Sequence, residues 1–262
     1  MKFGLEDTIG PLMGASHAKL ARMAGAKRMP GRAHPLSLPI PGSSARVLVR
    51  PYAHGGVLGK IRGRKFSSMA RAFNELIVSA RAESLGLPVP KMAGFTALKL
   101  RSGKWHLKAW ILLIPEAKDL PSYFEENSPG EPGKTEIMSA VAKAVRKCHD
   151  AGLVHPDLNC RNVIITTNRD RYLAHLVDLD KAHFVRRMHT STRLGQLCRL
   201  YRSLAKERIL PRILRPDDFA RFTRIYFAGS LKESHLRMFM ARCRRAVFWH
   251  SLTWKKRRSS TA

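Results

Sequence analysis

The sequence predicts an α+β protein whose first part is rich in strands and whose second part is largely helical. Three observations lead to this prediction: strand-like runs occur before residue 115, helical periodicity dominates after residue 190, and strands precede helices instead of alternating with them. At 262 residues, of which 44% are hydrophobic, the chain can form two small lobes with real cores. We therefore expect a small β-rich N-lobe over residues 31–115 and a helical C-lobe over residues 116–262.

The N-lobe is preceded by a basic segment, residues 1–30, for which the sequence favours either a loose helix from Leu12 to Ala26 or disorder. Within the lobe, the periodicity predicts a helix over residues 67–85 with Phe73, Leu76, Ile77 and Ala80 on its apolar face. Alternating or apolar runs predict strands at 46–50, 94–100 and 105–114.

The C-lobe pattern is mainly helical. A helix is predicted over residues 134–150, with one apolar stripe formed by Ile137, Val141, Ala144, Val145 and Cys148. Two short strands follow, at 163–166 and 173–177, joined by a turn. Further helices are predicted over residues 191–206, 216–228 and 231–250.

The chain is strongly basic. It has 48 Lys and Arg against 19 Asp and Glu, a formal charge of +29, which indicates a polyanionic partner without selecting nucleic acid, membrane or phosphorylated substrate. The four cysteines lie far apart and form no CxxC pair, so we expect neither a zinc site nor a disulfide framework. The N-terminus lacks a secretory signal and no apolar run reaches the roughly 20 residues of a membrane span. We therefore expect a cytoplasmic protein.

The segment His155–Asn162 carries the chemistry. It matches the kinase pattern H-x-D-L-x-x-x-N at His155, Asp157, Leu158 and Asn162. In that pattern the Asp orients and deprotonates the attacking hydroxyl, while the Asn and a second Asp beyond a short hairpin bind metal. Asp178 lies at the expected place for the second Asp. The alternatives are structural: a turn or helix cap for Asp157 and an Asx turn for Asn162. We predict a protein-kinase-like fold that uses ATP and Mg²⁺.

Several stretches together resemble one known family, the lipopolysaccharide kinases, which include the 3-deoxy-D-manno-octulosonic acid (Kdo) kinases and core heptose kinases. The resemblance spans about residues 31–206, and the order of the stretches is as informative as any one of them. Besides the catalytic loop, they are Val49–Gly56, Arg71–Glu75, Gly86–Pro90, Val177–Asp180 and Leu200–Leu204.

This resemblance implies roles for the residues of the catalytic loop and hairpin. Asp157 would be the catalytic base, and Asn162 and Asp178 would be Mg²⁺ ligands. Glu75 would be the equivalent of the glutamate that protein kinases carry on the helix after their first strands. Its alternative role is that of a surface residue facing Arg71 one turn earlier.

The resemblance also implies nucleotide contacts. Arg50 lies where protein kinases place a strand lysine, and Arg can hold phosphate oxygens bidentately, with Lys60 as a nearby substitute. Gly31 lies where the family's degenerate glycine loop is expected. The strand leading into Pro115 and Glu116 resembles the hinge that pairs with adenine.

The acceptor is expected to be a non-peptide. No A-P-E segment follows Asp178, and the stretch between Asp180 and the next helix is too short for a long activation loop. The resemblance implies an inner-core lipopolysaccharide sugar hydroxyl, on Kdo or heptose. The expected partners are ATP and an anionic glycolipid or sugar acceptor, with peripheral contact at the cytoplasmic face of the inner membrane and no nucleic acid.

Two other functions stay open on the sequence alone. One is a kinase of another small molecule or a protein. The other is a catalytically weak basic pseudokinase scaffold that binds nucleic acid or membrane. The intact Asp157, Asn162 and Asp178 favour the enzymes, whereas the absent strand lysine favours the scaffold.

Overall fold

The computed structural model describes residues 5–29, 34–54, 63–169, 171–230 and 232–258, with residues 5–8, 253 and 255–258 described by their backbone alone. Contacts divide the chain into two compact units. The first comprises Met1–Ser84 and Pro90–Pro115, and the second comprises Leu85–Val89 and Glu116–Ala262. The chain therefore contributes Leu85–Val89 to the second unit, returns to the first, and belongs to the second unit from Glu116 onward.

The first unit contains an antiparallel five-stranded sheet in the order β1-β2-β3-β5-β4. Arg50 lies on the central strand β3, opposite Ala109 of β5. The predicted strands are present with shifted ends, whereas the two short strands before β3 were not predicted. The strands are β1 (Lys27–Arg28), β2 (Leu36–Pro39), β3 (Arg46–Pro51), β4 (Met92–Lys99) and β5 (Trp105–Leu112).

Two short helices, α1 (Leu5–Met13) and α2 (His17–Ala21), occupy the basic segment for which the sequence favoured one loose helix or disorder. Their Ile9 and Leu20 side chains are buried in the same core as Trp110. These apolar contacts explain why the segment is ordered: burying a large aliphatic side chain contributes about 1.5–3 kcal/mol.

Helix α3 (Ala70–Ser84) turns a different face inward from the predicted one. Phe73 and Ile77 are 50% and 62% exposed, so the prediction that they form the buried face is wrong. The buried residues are instead Ala72, Glu75, Val78, Ser79 and Ala82. The spacing of apolar residues predicted the wrong face because Glu75, a charged residue, lies on the buried face.

The helices of the second unit follow the predicted pattern. Every residue of the predicted stripe on α5 is buried, from Ile137 to Cys148. Helix α8 is longer at its C-terminal end than predicted. Among the described residues, no helix is both long and apolar enough to cross a bilayer. The helices are α4 (Leu120–Asn127), α5 (Glu131–Asp150), α6 (Thr190–Lys206), α7 (Pro216–Tyr226) and α8 (Glu233–Arg258).

Two small antiparallel sheets complete the second unit. One pairs β7 with β10, and the other has the order β6-β8-β9, in which β8 and β9 are the predicted hairpin. Their strands are β6 (Lys118–Asp119), β7 (Leu153–Val154), β8 (Val163–Asn168), β9 (Arg171–Leu176) and β10 (His183–Phe184).

The β7–β10 pair depends on Gly152. Its φ is +82°, and a Cβ atom there would lie 2.4 Å from the Val185 carbonyl oxygen. The Val185 N–H donates to the Gly152 carbonyl at 2.9 Å, so the close approach belongs to the strand pairing itself. No side chain can replace glycine without shifting backbone.

We expect Gly152→Ala to lower the free energy of unfolding of the second unit by about 2–5 kcal/mol, because left-handed strain of about 1–2 kcal/mol adds to a backbone clash. Gly229→Ala is the matched control: its φ is +73° and nothing lies within 4 Å of the added Cβ. That control should show the strain alone. Urea unfolding measures both, and equal losses would contradict the clash.

Candidate active site

The predicted catalytic loop joins β7 to β8 in the second unit. It ends in a single 3-10 turn, Cys160–Asn162, whose cap is Asn159: the Asn159 side-chain oxygen accepts the Arg161 N–H at 3.0 Å. Leu158 is fully buried. Asp157, immediately before it, is only half-buried. The loop is therefore fixed by an apolar side chain while its carboxylate stays accessible.

Two side-chain amides hold the backbone at Asp157. Asn159 Nδ2 and Asn162 Nδ2 each donate to the Asp157 carbonyl oxygen at 2.9 Å. Because Nδ2 of Asn162 is engaged, its Oδ1 is turned the other way, and no residue in the described part of the chain donates to it. The Asn162 amide thus presents an oxygen that can bind a cation.

A backbone bond brings Asp178 next to Asn162. Val163 lies opposite Leu176 in the β8–β9 ladder, and Val177 N–H donates to the Asn162 carbonyl at 3.0 Å. Asp178 is the next residue along the chain. Its φ of +66° lies in the left-handed region, where a residue other than glycine is strained by about 1–3 kcal/mol. Such strain is typical of functional sites.

The Asp157 carboxylate makes no hydrogen bond or ion pair with any described residue. A turn cap requires the side-chain oxygen to accept a backbone N–H. The Asp157 carboxylate accepts no such hydrogen bond from a described residue, so Asp157 does not cap the turn there. The Asx-turn alternative for Asn162 likewise needs a side-chain acceptor, whereas the Asn162 side chain is a donor. Neither structural alternative is therefore formed among the described residues, and the chemical roles of Asp157 and Asn162 stay predictions.

His155 braces the loop. It is 1% exposed, and its Nε2 donates to the Val177 carbonyl at 2.9 Å, immediately before Asp178. Burial lowers the pKa of the His155 imidazole, against the opposing effect of that hydrogen bond. The ring therefore acts as a neutral donor that ties the catalytic loop to the end of the hairpin.

Helix α6 anchors the loop from behind. Gln196 Oε1 accepts the His155 N–H at 2.9 Å, and Ser203 Oγ accepts the Cys160 N–H at 2.8 Å. Just past the helix, Glu207 pairs with Arg161 at 2.6 Å. These three positions are spaced by about two turns and one turn, so they share one face of the helix.

Gln196 extends this anchor into a buried polar network. His149 Nε2 lies 3.3 Å from Gln196 Oε1, and Tyr226 donates to His149 Nδ1 at 2.6 Å. Arg193 in turn donates to the Tyr226 hydroxyl at 3.1 Å. Burial lowers the pKa of His149 to about 4 and raises the pKa of Tyr226 to about 12, so both groups are neutral near pH 7.

In the first unit, Arg50 and Glu75 form a buried pair. Arg50 Nη2 lies 2.6 and 2.8 Å from the two Glu75 oxygens, and the Tyr52 hydroxyl also donates to Glu75. Glu75 is 2% exposed, so its interpretation as a surface residue is wrong. Burial and the neighbouring Glu75 charge raise the pKa of Tyr52. A carboxylate this deep needs those partners, because an unpaired buried charge is very costly.

The remaining predicted contacts are less defined. Glu116 is exposed, has a φ of +54° and begins the second unit's long segment. Gly31 and Lys60 lie outside the described residues. The structure therefore brings together Asp157, Asn162 and Asp178 in one unit, and Arg50 with Glu75 in the other.

The side chains of Asn162 and Asp178 are chemically compatible with Mg²⁺. Within the described residues, no group of three or more His, Cys, Asp and Glu side chains is placed to hold a metal. Mg²⁺ does not require such a cage, since it is usually bound by one or two carboxylates together with substrate phosphates. An amide oxygen from Asn162 and a carboxylate from Asp178 are the hard oxygen donors that it prefers.

The sequence profile of the lipopolysaccharide kinase (Kdo/WaaP) family matches residues 45–226, which is more than half of the chain. The chain belongs to this family. The match includes both the Arg50–Glu75 pair and the catalytic loop, and it confirms the resemblance drawn from the sequence.

Curated relatives of this lipopolysaccharide kinase family member are named 3-deoxy-D-manno-octulosonic acid kinase. Those of Actinobacillus succinogenes, Vibrio cholerae and Mannheimia succiniciproducens are 26%, 28% and 30% identical over 163, 165 and 163 residues. Each match covers 61% of this chain and 65% of the relative. The chain thus matches slightly under two thirds of the length of these relatives.

A solved structure of WaaP in complex with acyl carrier protein has the same fold. It is 20% identical and superposes with a TM-score of 0.60, over 95% of this chain and 100% of that chain. This likeness confirms the predicted α+β, two-lobed kinase-like fold of the Kdo/WaaP family member.

Gln196 and His149 also support the site, and neither was predicted from the sequence. The signal was present but weak: Gln196 lies seven residues before Ser203, the spacing of one helix face, and falls among buried apolar residues of α6. A polar residue in such a stripe indicates a buried hydrogen bond.

The lowered pKa of His149 makes stability depend on pH. An unfolded histidine binds its proton near 6.5, whereas folded His149 does so only near 4, so the unfolded state is favoured as the pH falls through this window. Stability from this group is complete above pH 6.5 and lost by about pH 4, a change of about 3 kcal/mol.

We therefore expect His149→Gln to be less stable than wild type at pH 7 yet to lose less further stability between pH 6.5 and 4. Urea unfolding at several pH values measures both slopes. His183→Gln, at an exposed histidine, controls for the loss of one imidazole. Parallel slopes for wild type and His149→Gln would contradict the assignment.

Proposed function

We propose that the protein is an ATP-dependent phosphotransferase that phosphorylates a sugar hydroxyl, on Kdo or heptose, in the inner core of lipopolysaccharide. One observation carries the proposal. The loop backbone at Asp157 is held by Asn159 and Asn162 amides, while the Asp157 carboxylate is engaged by no described residue. Family membership supports the same activity, and the names of the curated relatives support Kdo as an acceptor.

Asp157 would act on the acceptor. Its carboxylate would take the proton of the sugar hydroxyl while the hydroxyl oxygen bonds to the γ-phosphorus of ATP. The bond from that phosphorus to the bridging oxygen breaks, and ADP leaves with the electron pair. His155 and Gln196 would keep the carboxylate in place, because both of their hydrogen bonds fix the loop at residue 155, two residues before Asp157.

Asn162 and Asp178 would hold Mg²⁺ beside the phosphates. When bound, this ion neutralises the charge that gathers on the phosphate oxygens. The support is chemical and geometric: two oxygen donors, one of them oriented by the bond to Asp157 and the other placed beside it by the Val177–Asn162 bond.

Arg50 would contact the nucleotide phosphates in place of the usual lysine, with Glu75 as its positioning residue. Glu75 accepts two hydrogen bonds from one Arg50 nitrogen, and 21% of the Arg50 side chain stays exposed. Arg is always charged and binds phosphate oxygens well, so this replacement is compatible with activity.

The acceptor would be met at a membrane. Lipopolysaccharide precursors are anionic glycolipids, and a charge of +29 favours peripheral contact with such a surface. The proposed location is the cytoplasmic face of the inner membrane.

The decisive experiment measures ADP release and phosphorylated product with purified full-length protein, ATP and Mg²⁺. Acceptors are Kdo–lipid A, the same glycolipid extended by heptose, and a generic protein substrate. Product on a sugar acceptor supports the proposal and identifies which sugar. Phosphorylation of the protein substrate alone would support the other kinase interpretation. No turnover with any acceptor would favour the pseudokinase scaffold.

We expect Asp157→Asn to lower kcat by about 10²–10⁴ with an unchanged thermal midpoint, because the carboxylate is needed as a base but not as a structural partner. Asp217→Asn is the control, since it removes a carboxylate at an exposed position of α7 in the same unit. A lowered midpoint with near-normal turnover would make Asp157 a structural residue.

We expect Asp178→Asn to raise the Mg²⁺ concentration needed for half-maximal turnover at least about tenfold, since one charged ligand becomes neutral. The measurement is a Mg²⁺ titration at saturating ATP, again beside Asp217→Asn. An unaltered Mg²⁺ dependence would remove Asp178 from the metal site.

A further inference from the structure

Helix α8 has two opposite faces of apolar residues, and only one of them is covered by protein. Its inner stripe, Leu236, Phe239, Met240 and Cys243, is buried against the second unit. Residues Arg245, Phe248, Trp249 and Leu252 have the same i, i+3, i+4, i+7 spacing on the outer side. We call these four residues the outer stripe.

The apolar members of the outer stripe are unusually exposed. Phe248, Trp249 and Leu252 are 61%, 67% and 50% exposed. The two aromatic rings touch each other edge to face, with centroids 5.6 Å apart, and so form one continuous apolar surface. Adjacent exposed aromatic side chains are uncommon on a soluble surface and indicate an interaction site.

The residues along the helix around this stripe that carry a full charge are all cationic. Between residues 234 and 262 the sequence has eight Lys and Arg and no Asp or Glu. Arg242, Arg244 and Arg245 are exposed one to two turns before the aromatic pair. The sequence places four more cations, Lys255–Arg258, at the end of the same helix.

We propose that the outer stripe of α8 inserts into the interfacial layer of an anionic bilayer. Trp and Phe are suited to that layer because their rings tolerate both headgroups and acyl chains. Arginines alongside them bind lipid phosphates while their aliphatic stems lie against the apolar surface. Aromatic and aliphatic residues flanked by Arg and Lys are the composition of helices that lie in a membrane interface.

Charge argues against a second copy of the chain as the occupant, because two faces this cationic would repel each other. Nucleic acid would use the arginines and could stack on Trp249, but it provides no apolar contact for Leu252. A bilayer accounts for all members of the stripe and for the surrounding charge.

The proposal can be tested without catalysis. Full-length protein is sedimented with vesicles of phosphatidylcholine containing about 30% phosphatidylglycerol, with no nucleotide, at about 0.1 M and about 1 M salt. The assay reports membrane contact alone, so it can fail while the proposed phosphotransferase activity stands. The wild type should bind at low salt and keep part of this binding at high salt, because apolar insertion is not screened.

Phe248→Ser/Trp249→Ser should bind about tenfold more weakly at low salt and lose the salt-resistant part. The matched control is Ile77→Ser/Leu98→Ser, which removes apolar residues of similar exposure, 62% and 63%, from the first unit. This control should bind like wild type. Thermal melting checks that both variants fold.

The arginines are tested by Arg242→Gln/Arg245→Gln, which should weaken low-salt binding about fivefold for each residue. Arg101→Gln/Lys104→Gln, at an exposed turn of the first unit, is the matched charge control. Lipids with brominated acyl chains should quench the part of the tryptophan fluorescence that Trp249→Phe removes.

Three results would overturn the proposal. One is vesicle binding by Phe248→Ser/Trp249→Ser equal to that of wild type, or an equal loss in the Ile77→Ser/Leu98→Ser control. Another is RNA binding that depends on Arg242 and Arg245 while vesicle binding does not. The third is self-association, measured by sedimentation velocity, that depends on Phe248 and Trp249 without any vesicle binding.

Discussion

The turn at Asp157 in the predicted catalytic loop is held through one backbone oxygen, the Asp157 carbonyl. Two side-chain amides, from Asn159 and Asn162, donate to it, and so the turn is held without the carboxylate. This arrangement matters because a carboxylate that caps a turn accepts backbone hydrogen bonds, and those lone pairs are then not available to accept a proton. Here the Asn159 and Asn162 amides fix the turn, and the Asp157 carboxylate accepts no hydrogen bond from a described residue. Asp178, in its left-handed conformation, directly follows the backbone hydrogen bond from Val177 N–H to the Asn162 carbonyl.

The first unit solves a related problem in the opposite way. There a carboxylate is buried, and Glu75 is stabilised by Arg50 and the Tyr52 hydroxyl. Because α3 turns Glu75 inward, Phe73 and Ile77 on the same helix face outward. The helix therefore exposes apolar side chains while it buries a charged one. Such an arrangement does not favour stability, since breaking a buried pair is costly while replacing it with apolar residues often is not. The pair does, however, fix the position of the Arg50 guanidinium, for which we propose a contact with the nucleotide phosphates.

These two cases also show how far sequence can predict this fold and site. The α5 stripe and the β8–β9 hairpin were predictable because their burial follows simple periodicity, and the loop because its residues are fixed by chemistry at fixed spacing. The buried face of α3 was not, because hydrophobicity cannot foresee a charge buried by partners distant in sequence. The strands β1, β7 and β10 have two residues each, too few for a periodic signal. Gln196 stands out only as a polar residue among buried apolar ones, and its partner could not be predicted because the His155 N–H belongs to the backbone.

Helix α6 meets the catalytic loop at Gln196, at Ser203 and, through its end, at Glu207. One residue inserted between the first two would rotate everything after it by about 100°, because each residue advances the helix by that angle. Ser203 and Glu207 would then face away from the loop. The helix can therefore exchange outward residues over evolution far more easily than it can change length. Insertions and deletions in relatives of this chain should accumulate before Thr190 or after Glu207. The spacing of eleven positions from Gln196 to Glu207 should stay constant among them.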